Sequence, residues 1–189
     1  NTKQLNLFAL LKDQKEVYVL PNKNVFGRLR SKKDCLTILA KHFTRPTQKY
    51  NDMVMRNDKI KITILSDLLK EQLSYRELQS LTLTDFHGKE KLKAIYPITK
   101  EFLQVLGYYI AEGYSFDDHT FRISCSEVEG KKLLSEILTH LGLHYFWIRK
   151  KGQNADVGVS SSLFTKILKQ LNLGKVSGDK RLPSFFMSI

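Results

Sequence analysis

In the second half of the chain, apolar side chains recur on two different periods that take turns. Behind Thr99, the residues Phe102, Val105, Leu106, Tyr109 and Ile110 fall at i, i+3, i+4, i+7 and i+8, the single apolar stripe of an amphipathic helix. Thr99 reads as its N-cap, Glu101 sits in the first turn where the helix dipole favours an acid, and Gly113 closes it. Tyr114-Ser115-Phe116, then Asp117-Asp118-His119, then Thr120 to Cys125 read as strand, turn and strand. Ser126 with Glu129 forms a capping-box pattern ahead of Leu133, Leu134, Ile137, Leu138 and Leu141 on one helical face, which Gly142 stops. His144 to Arg149 alternates as a strand, Lys151-Gly152-Gln153-Asn154 turns, and Val157 to Ser160 returns. A third helix carries Leu163, Phe164, Ile167, Leu168 and Leu171 and ends by Gly174. The predicted order is α-β-β-α-β-β-α: an α+β arrangement with one antiparallel sheet, helices on one face and the other face open.

The first half is less regular. Val17-Tyr18-Val19-Leu20 is a short strand candidate closed by Pro21-Asn22, and residues 33–43 carry Leu36, Ile38, Leu39 and Phe43 at roughly helical spacing. Ile60, Ile62 and Ile64 begin as a strand and drift into a helix through Leu68 and Leu69. Ser74 with Glu77 is a further capping box, and residues 61–82 are compatible with a helix-turn-helix. The expected division is a basic region over residues 1–97 and a second domain over 98–189.

Charge adds a partner. The 189 residues carry a net +12, and 42% of them are hydrophobic, enough for a packed core. Residues 1–100 hold 20 Lys and Arg against 10 Asp and Glu; the remainder holds 11 against 9. The densest stretch runs from Lys23 through Arg28, Arg30, Lys32, Lys33, Lys41 and Arg45 to Lys49, with Asp34 as its acid. Such a balance suggests a polyanion, nucleic acid above all, although a solvated basic surface is the plain alternative. Charges interrupt every apolar run before it reaches membrane-spanning length, and the first residues lack a secretory stretch. Cys35 and Cys125 are too far apart for a metal pair, so they read as buried thiols of an intracellular protein. No Gly-rich phosphate loop or nucleophile-base pattern suggests a small-molecule enzyme.

One helix concentrates the candidate chemistry. Gly107 and Ala111 stand four apart, leaving a strip almost without side chains on which another helix could pack closely. Glu112 follows at the helix C-terminus, where the dipole disfavours a carboxylate and a cation would be welcome. An ordinary helix end with a solvated glutamate gives the same letters. Asp117 and Asp118 read as a hairpin turn rather than ligands. His119, His140 and His144 show no metal-ligand spacing, and Tyr145 and Trp147 read as packing residues.

The run Val105-Leu106-Gly107-Tyr108-Tyr109-Ile110-Ala111-Glu112-Gly113 resembles the LAGLIDADG (or DOD) motif of homing endonucleases, in the Ala-Glu-Gly variant of archaeal inteins and introns. The resemblance spans about residues 95–189, and Gly178-Asp179-Lys180-Arg181-Leu182-Pro183 resembles the segment that precedes a second motif in two-motif members. It implies two motif helices packed along their small residues over a saddle of two sheets lying in the DNA major groove. Each helix would give one carboxylate to Mg²⁺, which cuts both strands of double-stranded DNA. By this resemblance Glu112 is the metal ligand and catalytic carboxylate. Lys180 is the basic residue near the site, with a solvated loop lysine as its alternative. Ser124 matches a polar residue facing the site. For DNA contact the candidates are Arg122, Ser124, Arg149, Lys150, Lys151, Gln153 and Asn154, with Lys32 and Lys33 in the basic region. Arg suits guanine and Asn or Gln suits adenine, while a lysine pair at a hairpin tip suits phosphate.

With one motif, the chain is expected either to pair as a homodimer or to be the front of a longer monomer missing its C-terminal half. Residue 1 is not a splicing Cys or Ser and no His-Asn pair ends the chain, which speaks against a complete intein. Residues 1–97 are a candidate accessory DNA-binding domain. Two alternatives of the same fold remain, a catalytically inactive DNA-binding protein and an intron RNA maturase.

Overall fold

The computed structural model describes residues 3–30, 35–56, 58–69, 73–115, 117–148, 155–174 and 179–183. The chain divides into two units, Gln4–Tyr96 and Pro97–Ile189 with the first three residues. Both are mixtures of helices and antiparallel sheet.

The first unit opens with β1 (Gln4–Asn6) and α1 (Leu7–Leu11), where the Asn6 side chain caps the helix by accepting from the Ala9 amide. After β2 (Tyr18–Val19) come α2 (Lys23–Arg30), α3 (Cys35–Ala40) and α4 (Pro46–Met55). β3 (Ile60–Lys61) runs directly into α5 (Ile62–Leu69), whose Ile62, Ile64, Leu65, Leu68 and Leu69 are all buried. The expected capping box is present at α6 (Tyr75–Ser80): the Glu77 amide donates to Ser74 Oγ, and the Ser74 amide donates back to Glu77. That six-residue helix buries none of its side chains, and the chain passes at once into β4 (Thr82–Thr84), β5 (Lys91–Lys93) and β6 (Ile95–Pro97). β1 pairs with β6, and a second sheet has the order β3-β2-β4-β5. Strands of two or three residues are too short to show a period, which is why the sequence gives little warning of this sheet.

The second unit follows the predicted order of elements. In α7 (Lys100–Glu112), Thr99 Oγ1 accepts from the Phe102 amide, and Phe102, Val105, Leu106 and Tyr109 are buried. Then come β7 (Gly113–Ser115), β8 (Thr120–Cys125), α8 (Val128–His140), β9 (Tyr145–Ile148), β10 (Ala155–Ser160) and α9 (Ser162–Gln170). All strand pairs are antiparallel in the order β7-β8-β10-β9. Register puts Phe121, Ile123, Val157 and Val159 on one face, and each is fully buried. There Phe121 stacks on Phe164 at 5.7 Å between centroids and meets Tyr109 edge-on at 5.8 Å. Two helices, α7 and α9, thus share one aromatic contact with the sheet, since Phe102 also meets Phe164 at 5.7 Å.

Two helix ends differ from expectation. The Ser126–Glu129 capping box is not formed: α8 starts at Val128 with Glu127 as N-cap and no side-chain cap. Cys125 Sγ lies 3.8 Å from the Glu127 carbonyl, and a Cβ at Gly130 would come within 2.9 Å of that sulfur. The packed thiol delays the helix past Ser126. Likewise α9 ends at Gln170, before Gly174, through left-handed Asn172 (φ 54). Gly142 (φ 66) does end α8 as expected, with Leu143 donating to the Leu138 carbonyl in a Schellman-type closure. No helix among the described residues is long and apolar enough to cross a membrane.

Candidate functional site

The two ends of the small-residue strip on α7 are open. Gly107, Ala111 and Glu112 are exposed, and a Cβ at Gly107 would meet nothing within 4 Å beyond its own helix backbone. The same helix therefore has a buried apolar stripe on one side and an accessible, nearly flat edge ending in a carboxylate on the other. Gly113 is required here for close approach rather than for a left-handed turn. Its backbone is extended (φ −92), and a Cβ would come 2.6 Å from the Tyr109 Cα and carbonyl oxygen. Without that side chain the strand leaves the helix immediately beside Glu112.

Lys180 is fixed one helical turn before Glu112. Its Nζ lies 3.4 Å from the centroid of the Tyr109 ring and 3.5 Å from the Gly174 carbonyl. The Tyr109 hydroxyl donates to that same carbonyl at 3.1 Å. Burial of the ammonium lowers its pKa to about 8, against the opposing pull of Asp179. The negative face of the Tyr109 ring also favours the charged form. Burial raises the Tyr109 phenol in turn, with Asp179 adding to the rise. The nearby Ser115 hydroxyl works against that rise, although Ser115 Oγ is itself buried without a partner in good hydrogen-bond geometry. Lys180 is thus a half-desolvated cation on an aromatic face, not a loop lysine in bulk water.

The face of the sheet away from the helices holds the third element. Arg122 stands opposite Tyr114 on β7 and Gly158 on β10, and Ser124 stands opposite Asp156. Asp156 is only 2% exposed. Its Oδ2 accepts from the Tyr114 hydroxyl at 2.6 Å and its Oδ1 from Ser124 Oγ at 2.8 Å. A carboxylate this deep requires such donors. Ser124, expected to face the site, is therefore a donor to a buried acid. Asp156 and Tyr114 escape a reading that begins the strand at Val157; the signal was the alternation Asp156, Gly158, Ser160 continuing one pair further back. Phe146 lies across Gly158, where a Cβ would meet the ring at 2.5 Å, and is itself 43% exposed.

Asp117 and Asp118 form the hairpin turn that was expected. Asp117 Oδ1 accepts from the His119 and Thr120 amides at 2.7 and 2.6 Å. Lys169 donates to the Asp117 carbonyl at 2.7 Å and pairs with Asp118, which holds the Asp118 carboxyl below its ordinary pKa. Tyr145 and Trp147 share the helix side of the sheet with Val159 and Val157, as packing residues would. Arg149, Lys150, Lys151, Gln153 and Asn154 lie outside the described residues, as do Lys32 and Lys33.

Among the described residues, no cluster of three or more His, Cys, Asp or Glu side chains is arranged to hold a metal ion. Mg²⁺ needs less than that, because it keeps several waters and takes one or two carboxylates together with phosphate oxygens. The accessible Glu112 fits as one such oxygen donor. Asp156 does not, since hydroxyl donors already hold both of its oxygens.

No family model matches the chain, and no solved structure matches it. It is similar to the DNA polymerase II large subunit of Thermococcus kodakarensis, 31% identical over 141 residues that cover 71% of this chain and 8% of that protein. The chain therefore spans a small part of that relative's length.

Proposed function

We propose that the second unit is one half of a LAGLIDADG-type homing endonuclease that cuts double-stranded DNA at specific sites with Mg²⁺. The observation that carries this is the accessible edge of α7, where Gly107 and Ala111 lead to an exposed Glu112 at the helix end. A second motif helix packed there, from another copy or a missing C-terminal half, would bring a second carboxylate beside the first. The two carboxylates would share metal with the scissile phosphates, and bound Mg²⁺ would supply Lewis-acid stabilisation of the attacking and leaving oxygens. Glu112 would hold one ion. Lys180, with a pKa of about 8, would hold or release a proton near neutral pH beside the developing phosphate charge. Arg122, on the open face of the sheet, would contact base edges. A match confined to 8% of a polymerase subunit is what an element inserted into such a chain would give, and the proposal takes that origin rather than polymerisation.

The experiment is cleavage of a randomised duplex library with Mg²⁺ by the chain and by Glu112→Gln. Enriched cut sites that vanish in the variant are expected. Cuts that persist in Glu112→Gln would overturn the assignment of that residue, and selective duplex binding without cuts would leave a DNA-binding protein of the same build.

A further inference from the structure

The outer face of the β3-β2-β4-β5 sheet, in the first unit, carries an aromatic ring between two sets of lysines. Register aligns Lys61, Tyr18, Thr84 and Lys91 across the four strands, with Lys93 opposite Thr82 one pair further along the same face. Val19, Ile60 and Leu83 take the other face and are fully buried. Lys61, Lys91 and Lys93 are exposed. Three strand spacings separate Lys61 from Lys91, roughly 14 Å between their Cα atoms. Between them Phe86, from the β4–β5 turn, folds back against Tyr18 with centroids 5.9 Å apart, yet it remains 57% exposed.

Cations and a second ring surround that phenyl group. Lys59 Nζ lies 5.1 Å from the Tyr18 ring centroid and 5.4 Å from that of Phe86, and it donates to the Phe86 carbonyl. His87 meets Phe86 edge-on at 5.1 Å. The nearby acids are largely engaged elsewhere: Asp85 is 7% exposed and accepts from the His87 and Glu90 amides, and Asp58 pairs with Lys49. Among the described residues, burial raises the Tyr18 phenol pKa, Glu16 is close enough to add to that rise, and Glu90 directly precedes Lys91. Lysine is depleted where proteins bury each other, and one exposed ring offers a lipid surface little apolar area. A cationic track around a stacking ring is instead the pattern of sequence-tolerant strand binding.

We propose that this face binds an unpaired polynucleotide strand, with phosphates on Lys61, Lys91 and Lys93 and a base stacked on Phe86. The site is distinct from the basic stretch over residues 23–49 and does not depend on the cleavage reading. A strand held here needs no base pairing and little sequence preference, because every base has a π face.

The test is fluorescence anisotropy of the full chain with a labelled 20-mer of deoxythymidine, at several salt concentrations, beside a 20-base-pair duplex and anionic vesicles. Phe86→Leu keeps an apolar contact with Tyr18 but loses the stacking face; affinity for the 20-mer should drop about 5- to 150-fold, while duplex binding changes little. Phe86→Tyr should restore it. Lys61→Gln/Lys91→Gln/Lys93→Gln should weaken binding and flatten the log–log salt slope by about 2, near 0.7 for each lost phosphate contact. A chain that fails to bind the 20-mer, a Phe86→Leu that binds it normally, or vesicle binding that the same lysines govern would each overturn the proposal. None of these results touches the duplex-cleavage experiment.

Discussion

On the helix-covered face of the β7-β8-β10-β9 sheet, Phe121, Ile123, Val157 and Val159 are inaccessible, and Phe121 meets Tyr109 and Phe164. On the opposite face the buried group is an acid, Asp156, held by Tyr114 and Ser124. The first face is stabilised by apolar area removed from water, which tolerates no gap but asks for no particular partner. The second depends on donors in particular places, because a buried carboxylate without them is strongly unfavourable. A fold needs the first kind of face. The second kind fixes where a few polar groups stand, on the face turned away from the helices.

The difference is most easily broken from the covered side. Phe121→Ala should destabilise the second unit by about 3–5 kcal/mol, because the ring is fully buried among two other aromatics. The single tryptophan of the chain, Trp147, lies on β9, so its fluorescence during urea unfolding reports on this unit. A loss below about 1 kcal/mol would mean that the helices are not anchored at this contact. On the open side Asp156→Ala should cost about 2–3 kcal/mol by the same signal, since it removes two charge-assisted hydrogen bonds. Asp156→Asn should cost less, because both hydroxyls can turn to accept as well as donate. Equal losses for the two variants would show that the site responds to volume rather than to hydrogen bonding.

The two faces were unequally legible in the sequence, for the same physical reason. The stripe Phe102, Val105, Leu106 and Tyr109 and its Thr99 cap lie within eleven residues, so a local period reveals them. Glu112, Gly107 and Ala111 fall on that helix and were placed with it. Asp156 acquires its meaning only from Ser124 and Tyr114, 32 and 42 residues away, through a cross-strand register that no local pattern encodes. Lys180 depends on Tyr109 in the same way. The Ser126–Glu129 pattern shows the reverse hazard, a correct local signal overruled by the packing of Cys125 against Gly130. In the first unit, strands of two or three residues left little to read, and the Phe86 face came entirely from tertiary pairing.

Lys180 lies where the covered side reaches the end of α7, and it makes the comparison pH-dependent. Its folded pKa, about 8, is below the ordinary value of 10.5. Below pH 8 the ammonium is charged in both states, and the native state bears the whole burial penalty. Between about pH 8 and 10.5 the native state releases its proton first, so the contribution to stability rises with pH. Relative to the parent, Lys180→Met should therefore be most favoured near pH 7 and lose that advantage by about pH 10. The group is partly solvated, so the change should stay below about 1 kcal/mol after screening, a few degrees in Tm at most. A stability difference that is flat across this range would remove the desolvated lysine from the site.

The smallest effect should come from Gly158→Ala, and it separates packing from hydrogen bonding on the open face. The three atoms nearest a Cβ there are outer atoms of the Phe146 ring, at 2.5 to 3.1 Å, and Phe146 is 43% exposed, so the far end of the side chain can yield. Displacing it forfeits part of one exposed contact. Against this, alanine restricts the unfolded chain where glycine does not, worth roughly 0.4–1 kcal/mol in favour of the variant at a conformation it can adopt. The two terms nearly cancel, so the Trp147 transition should move by less than about 0.5 kcal/mol. If it falls by much more, Phe146 cannot move, and the open face is packed as tightly as the covered one. In that case the surface around Arg122 is rigid, rather than bordered by an adjustable ring.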